Sequence, residues 1–294
     1  MTATASTSGA ASALRPACAV VGGIVSMCIG TSFAKALFPL VGAEGTTALR
    51  VGFSALLLLA AWRPWRRRLT ARQCGALALY GLALGALNLL FYMALRTVPF
   101  GIAVAIEFVG PLTVATLSSR RAVDALWIVL AALGLGLILP LGSHAGALDP
   151  LGIAYAAGAA LAWALYIVFG QRAGRLRGPD AVAVGTAVAA LAVLPFGVAR
   201  AGSTLLDPAL LPLALGVALL SSALPFSLEM YALRRLPRQT FGVLLSVEPA
   251  VTALAGLAVL GEALSPGQWL GIGCVVLASV GTALAAGRGT AAET

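Results

Sequence analysis

Long apolar runs separated by short polar breaks fill almost the whole chain. Apolar runs of about 20 residues are long enough to cross a bilayer as helices, and the two-residue alternation of a membrane barrel is absent. The pattern predicts ten spans, at 17–37, 46–62, 73–95, 98–117, 123–141, 151–170, 181–199, 209–233, 240–260 and 268–286. The connections between them are too short to hold a soluble domain. Residues 1–14 are mostly Ala, Ser and Thr without a charge. They predict a disordered tail to about residue 16, and 287–294 a second tail. The expected fold class is an all-α polytopic membrane protein.

The pattern also repeats. Ala94-Leu95-Arg96-Thr97-Val98-Pro99 matches Ala232-Leu233-Arg234-Arg235-Leu236-Pro237 at an offset of 138, and Pro111 and Pro249 share that offset. Two repeats of five spans follow, 17–141 and 150–286. Five is odd, so the second repeat enters the membrane from the opposite side. Inverted repeats of this kind build secondary transporters, with the site near mid-membrane at the repeat interface.

Composition sharpens the class. Hydrophobic residues make up 60% of the chain and charged residues only 10%, where soluble domains carry about 25% charge. The net charge of +9 does not point to nucleic acid, because the arginines sit in short loops. With the N-terminus in the cytoplasm, fifteen of the nineteen Lys and Arg residues fall on the inner side. Only Arg96 and Arg200 fall in outer loops, while Lys35 and Arg50 lie within or at the edge of the first two spans. The positive-inside bias therefore predicts both termini in the cytoplasm. Arg15 and Pro16 before the first span resemble a signal peptide, but the spans that follow point to a retained first helix. The four cysteines lie in apolar segments without metal spacing, and His144 is the single histidine. No cofactor, metal or enzymatic cluster is expected.

The candidate chemistry is the set of polar residues inside the spans. Glu107 lies in the run 101–112, and Pro111 follows four residues later. A proline there removes the N–H that would bond the Glu107 carbonyl, so the helix is expected to break. Glu248-Pro249 repeats the arrangement, with Glu248 aligned to Gly110 and therefore on the same face as Glu107. Two carboxylates converging on one cavity can bind an ammonium group or exchange it for a proton, and intramembrane acids are functional by default. The alternative is that each is tied to a helix end or an arginine and only stabilises packing. Ser221, Pro225 and Glu229 are spaced by four, and Pro225 frees the Ser221 carbonyl. Glu229 could equally pair with Arg234 or Arg235 near the helix end. Lys35 and Arg50 are candidates for receiving a carboxylate, against snorkelling or pairing with Glu44 in the short loop between them. Asn88 and Tyr92, one turn apart in the third span, need partners in a solute or a neighbouring helix.

The segments that hold these charges resemble the EamA-type branch of the drug/metabolite transporter superfamily. The resemblance is carried by 32–43 (SFAKALFPLVGA), Thr47-Ala48-Leu49-Arg50, 97–112 (TVPFGIAVAIEFVGPL), Ser118-Ser119-Arg120-Arg121 and Gly170-Gln171-Arg172-Ala173-Gly174. Further along it is carried by Leu224-Pro225-Phe226-Ser227-Leu228-Glu229-Met230, Glu248-Pro249-Ala250 and Leu260-Gly261-Glu262. It spans roughly 30–281; the N-terminal tail and the His144 loop depart from it. It implies ten helices in two inverted five-helix repeats around a central cavity. It also implies efflux of small neutral amino acids of the threonine and homoserine type across a bacterial inner membrane, coupled to protons. Export of other metabolites or drugs on the same scaffold is the nearest alternative. A membrane enzyme or lipid scaffold would need a catalytic cluster that is not seen.

Overall fold

The computed structural model describes residues 5–66, 70–117, 123–138, 148–173, 178–233, 235–236 and 238–290. Among these residues the chain is helical throughout, with no strand. The helices are α1 (Ala5–Lys35), α2 (Phe38–Trp62), α3 (Ala71–Ala94), α4 (Phe100–Glu107), α5 (Val109–Leu117), α6 (Val123–Ile138) and α7 (Pro150–Ala173). They continue as α8 (Gly178–Ala201), α9 (Leu211–Ala218), α10 (Leu224–Leu233), α11 (Arg238–Leu245), α12 (Glu248–Leu260) and α13 (Pro266–Thr290). A π-helical turn, Leu219–Ala223, joins α9 to α10. Six helical stretches are long and apolar enough to cross a membrane, and three shorter apolar ones accompany them.

Local chemistry explains most of the boundaries. Thr70 and Gln73 form a reciprocal cap at the start of α3, with Thr70 N donating to Gln73 Oε1 at 2.9 Å and Gln73 N to Thr70 Oγ1 at 3.4 Å. Ser265 and Gln268 do the same at the start of α13. Helix α12 ends on Gly261, whose φ of +67° is a conformation that glycine adopts without strain. The N–H of Glu262 then folds back onto the Gly256 carbonyl at 3.0 Å. That turn aims Glu262 back into the bundle.

One expectation needs correction. The connection 38–45 was expected to be a loop holding Glu44. Instead α2 starts at Phe38, with Pro39 in its first turn, and absorbs a kink at Gly42, where φ is +72°. Glu44 is thus a helical residue, with Arg96 Nη1 at 3.9 Å from its Oε1. The loop of His144 lies outside the described residues.

Helices of the first half pack chiefly on helices of the second. The principal neighbours are α2 with α8, α3 with α7 and α8, α6 with α13, α1 with α10 and α4 with α12. All eight residues of α4 are buried, as expected of a helix that is apolar all round. Ile102, Val104 and Ile106 of α4 share one apolar cluster with Ile24 and Cys28 of α1, Ala156 of α7, Ala253 of α12 and Ile272 of α13. The acid-bearing half-helix is therefore held in the centre of the bundle.

Candidate functional site

The two proline breaks fall where the sequence places them. Helix α4 ends at Glu107 and α11 ends at Leu245, positions 138 apart. Their starts, Phe100 and Arg238, are 138 apart as well. Pro111 and Pro249 have no N–H to offer the carbonyls of Glu107 and Leu245, so the chain turns there before resuming as α5 and α12. At the first break Phe108 N still reaches Val104 O at 2.9 Å, but the next bond, Leu112 N to Phe108 O, stretches to 3.3 Å. At the second, Val247 N reaches Leu244 O at 3.3 Å and Ala250 N closes a tight turn onto Val247 O at 3.0 Å. Glu107 is left at the end of a half-helix and Glu248 at the start of one. Both are buried, 7% and 9% exposed, and both face the same cavity.

That cavity has a volume of about 320 Å³ and lies between α1, α2, α3, α4, α7, α11 and α12. Arg50, Asn88, Glu107 and Glu248 supply its charged and amide groups, and Thr31 and Thr252 its hydroxyls. Phe91, Phe100 and Trp163 form an apolar wall. Trp163 is set edge-on against Phe108, the residue of the first break, with ring centres 5.2 Å apart. A small, mostly apolar volume with a few convergent polar groups is the usual form of a small-molecule site.

Arg50 is the most heavily bonded group in the cavity. Its Nε donates to Ser221 Oγ at 2.7 Å, its Nη1 to Asn88 Oδ1 at 2.6 Å and its Nη2 to the Ser221 carbonyl at 3.1 Å. That carbonyl is free because Pro225, four residues on, has no N–H. Tyr92 does not line the cavity. It is fully buried beneath Arg50, with the guanidinium carbon 5.3 Å from its ring centre, a cation–π distance. Among the described residues Arg50 makes no ion pair.

Lys35 lies apart from the cavity lining. Its Nζ is 2.5 Å from Glu262 Oε1, and Glu262 Oε2 accepts the Phe100 N–H at 2.6 Å. This tie joins the end of α1, the first turn of α4 and the turn after α12. The structure thus brings Arg50, Asn88, Glu107 and Glu248 to one volume and puts Tyr92 behind it, while Lys35 serves a separate contact. Glu229 falls in α10, and its side chain lies outside the described residues. The sequence reading passed over Glu262, although Leu260-Gly261-Glu262 belongs to the matched segments. It noted Ser221 only as part of a stripe, and the four-residue spacing to Pro225 was the available signal. Trp163 was set aside as packing, and nothing in its local sequence marks it as a cavity residue.

Residues 150–284 match the EamA-like transporter family. Threonine/homoserine exporter RhtA of Escherichia coli (strain K12) is 52% identical over 255 residues, covering 87% of this chain and 86% of that protein. Threonine/homoserine exporter RhtA of Salmonella typhimurium (strain LT2) has the same identity and coverage. A crystal structure sharing 17% identity superposes over 95% of this chain and 98% of the other with a TM-score of 0.58, a likeness of fold alone. The family match covers the second half, the relatives extend over nearly the whole chain, and together they carry the conclusion that this protein belongs to the EamA-like transporter family.

Proposed function

We propose that the protein is a secondary active exporter of small neutral amino acids of the threonine and homoserine type, driven by protons across the bacterial inner membrane. The observation that carries the reading is one half-buried cation and two buried acids facing the same cavity of about 320 Å³. An amino-acid zwitterion carries its carboxylate and its ammonium group on one carbon, and the cavity holds a counter-charge for each. Arg50 takes the carboxylate. Three of its five N–H donors are engaged, which leaves two for a solute. Glu107 and Glu248 take the ammonium, or a proton in its place. Asn88 and Tyr92 surround Arg50, and Glu229 continues the Pro225 face. Lys35, held by Glu262, ties helix ends together rather than binding the solute.

The packing supports two inverted five-helix repeats. Exchanging the halves turns α2–α8 and α6–α13 into themselves, α3–α7 into α10–α1 and α3–α8 into α9–α2. The ten rods then are α1, α2, α3, α4–α5, α6, α7, α8, α9–α10, α11–α12 and α13. With both termini cytoplasmic, the Lys35–Glu262–Phe100 tie lies at the outer face. Rocking of the repeats about the breaks at Pro111, Pro225 and Pro249 opens the cavity to each side in turn. The test uses proteoliposomes loaded with labelled threonine under an imposed pH gradient. Glu107→Gln, which keeps the shape and removes the charge, is expected to abolish gradient-driven flux. Wild-type flux from this variant refutes the role of Glu107, and a solute panel that leaves threonine unmoved refutes the substrate class.

A further inference from the structure

We infer that Asn88 and Ser221 are positioning residues that aim Arg50 and keep it free of a counter-ion, and that they set the selection for carboxylate-bearing solutes through Arg50. The inference rests on reading Arg50 as the carboxylate site.

The hydrogen-bond directions carry it. Ser221 donates its hydroxyl proton to the Val217 carbonyl at 2.6 Å, so only oxygen lone pairs face Arg50 Nε. Asn88 donates Nδ2–H to the Leu84 carbonyl at 2.8 Å, which turns its Oδ1 toward Arg50 Nη1. The third acceptor, the Ser221 carbonyl, exists because Pro225 withholds an N–H and because the helix opens into the π turn Leu219–Ala223. Turns of this kind gather at functional sites. Ser221 has spent its hydroxyl donor and Asn88 one of its two amide donors on their own helices, so oxygen acceptors face the guanidinium at all three contacts. Three helical elements, α2, α3 and the π turn, thereby fix the guanidinium plane.

All three acceptors are also neutral. A carboxylate at position 88 would bind the guanidinium roughly twice as strongly as an amide does. An amide holds the plane and leaves the charge available. The two remaining N–H groups are one on Nη1 and one on Nη2, two donors for a solute carboxylate. The opposing acids Glu107 and Glu248 line the same cavity, and Arg50 lies within electrostatic reach of Glu107, but Arg50 forms no contact ion pair among the described residues. A solute carboxylate supplies that contact.

Asn88→Asp separates this from a purely structural tie. It keeps the size and the acceptor facing Arg50 but loses the donor to the Leu84 carbonyl, so a purely structural role predicts at most a change in stability, with normal transport by the folded protein. The inference predicts a folded protein whose KM for threonine rises about tenfold or more, with kcat changed less. It also predicts lost discrimination between threonine and threoninol, its carboxylate-free analogue, as competitors. Ser221→Ala removes one acceptor while keeping the backbone carbonyl; it is expected to raise the threonine KM with little effect on inhibition by threoninol. A wild-type KM in Asn88→Asp, or equal shifts for threonine and threoninol in Ser221→Ala, overturns the inference. Arg50→Gln is the control. If it transports normally, the carboxylate site itself is wrong. If it is inactive while Asn88→Asp is normal, only the positioning role fails.

Discussion

The crossing of α4 and α12 sets the spacing of the two cavity acids, and Gly101 permits it. An ideal Cβ at Gly101 would lie 2.6 Å from both Cα and Cβ of Ala253, where carbon atoms ordinarily approach to about 3.5–4.0 Å. The obstacle is helix backbone, which cannot rotate away as a flexible side chain would. Gly101→Ala therefore forces the two helices apart by about 1 Å. Overpacking costs about 1–3 kcal/mol, and the better helix propensity of alanine returns about 0.5–1 kcal/mol, which leaves a net loss of roughly 1–2 kcal/mol. The same shift moves Glu107 on α4 away from Glu248 on α12, and a misplacement of about 1 Å at a site costs on the order of 100-fold in rate. Gly273→Ala on α13 is the matched control, because its Cβ would meet nothing within 4 Å; it is expected to gain up to about 1 kcal/mol. The assay is the melting temperature of purified protein in detergent, together with threonine flux in proteoliposomes at equal protein. The reasoning is refuted if the two variants melt together, or if Gly101→Ala transports like the wild type.

Two further outcomes follow from contacts described above. Lys35 and Glu262 are 22% and 15% exposed at their side chains, so removing one strands the other in a poorly solvated place. Lys35→Met alone should lower the melting temperature more than Lys35→Met combined with Glu262→Gln, with a coupling of about 0.5–3 kcal/mol; additive effects would show that the tie carries no energy. Pro111→Ala restores an N–H facing the Glu107 carbonyl and removes the ring clash, a change of about 3 kcal/mol toward a continuous helix. It is expected to slow turnover with a smaller change in KM, and unaltered turnover would show that the break is not used in transport.

Much of the site was legible because proline acts locally. Pro111, Pro225 and Pro249 each withhold one N–H from a carbonyl four residues back, wherever the chain lies in space. The sequence therefore located both helix breaks and the freed Ser221 carbonyl. Burial was legible for Glu107 too, since an acid inside an apolar run has few places to go. The helical class followed from run length. The loop 38–45 was misread because apolar length is a weak guide to helix ends, and the kink at Gly42 lets a helix begin before its apolar run.

Partner choice was not legible. Lys35 and Arg50 read alike as cations at the ends of neighbouring spans, and nothing local distinguishes them. The fold sends Lys35 to Glu262, 227 residues away, and Arg50 to Ser221, 171 residues away. One becomes a cross-tie and the other the cation of the cavity. Sequence alone determined which backbone bonds would be missing and which charges would be buried, because those follow from residue type and near neighbours. Only the tertiary structure decided which charge meets which, because a long-range contact depends on helix packing and not on anything within reach along the chain.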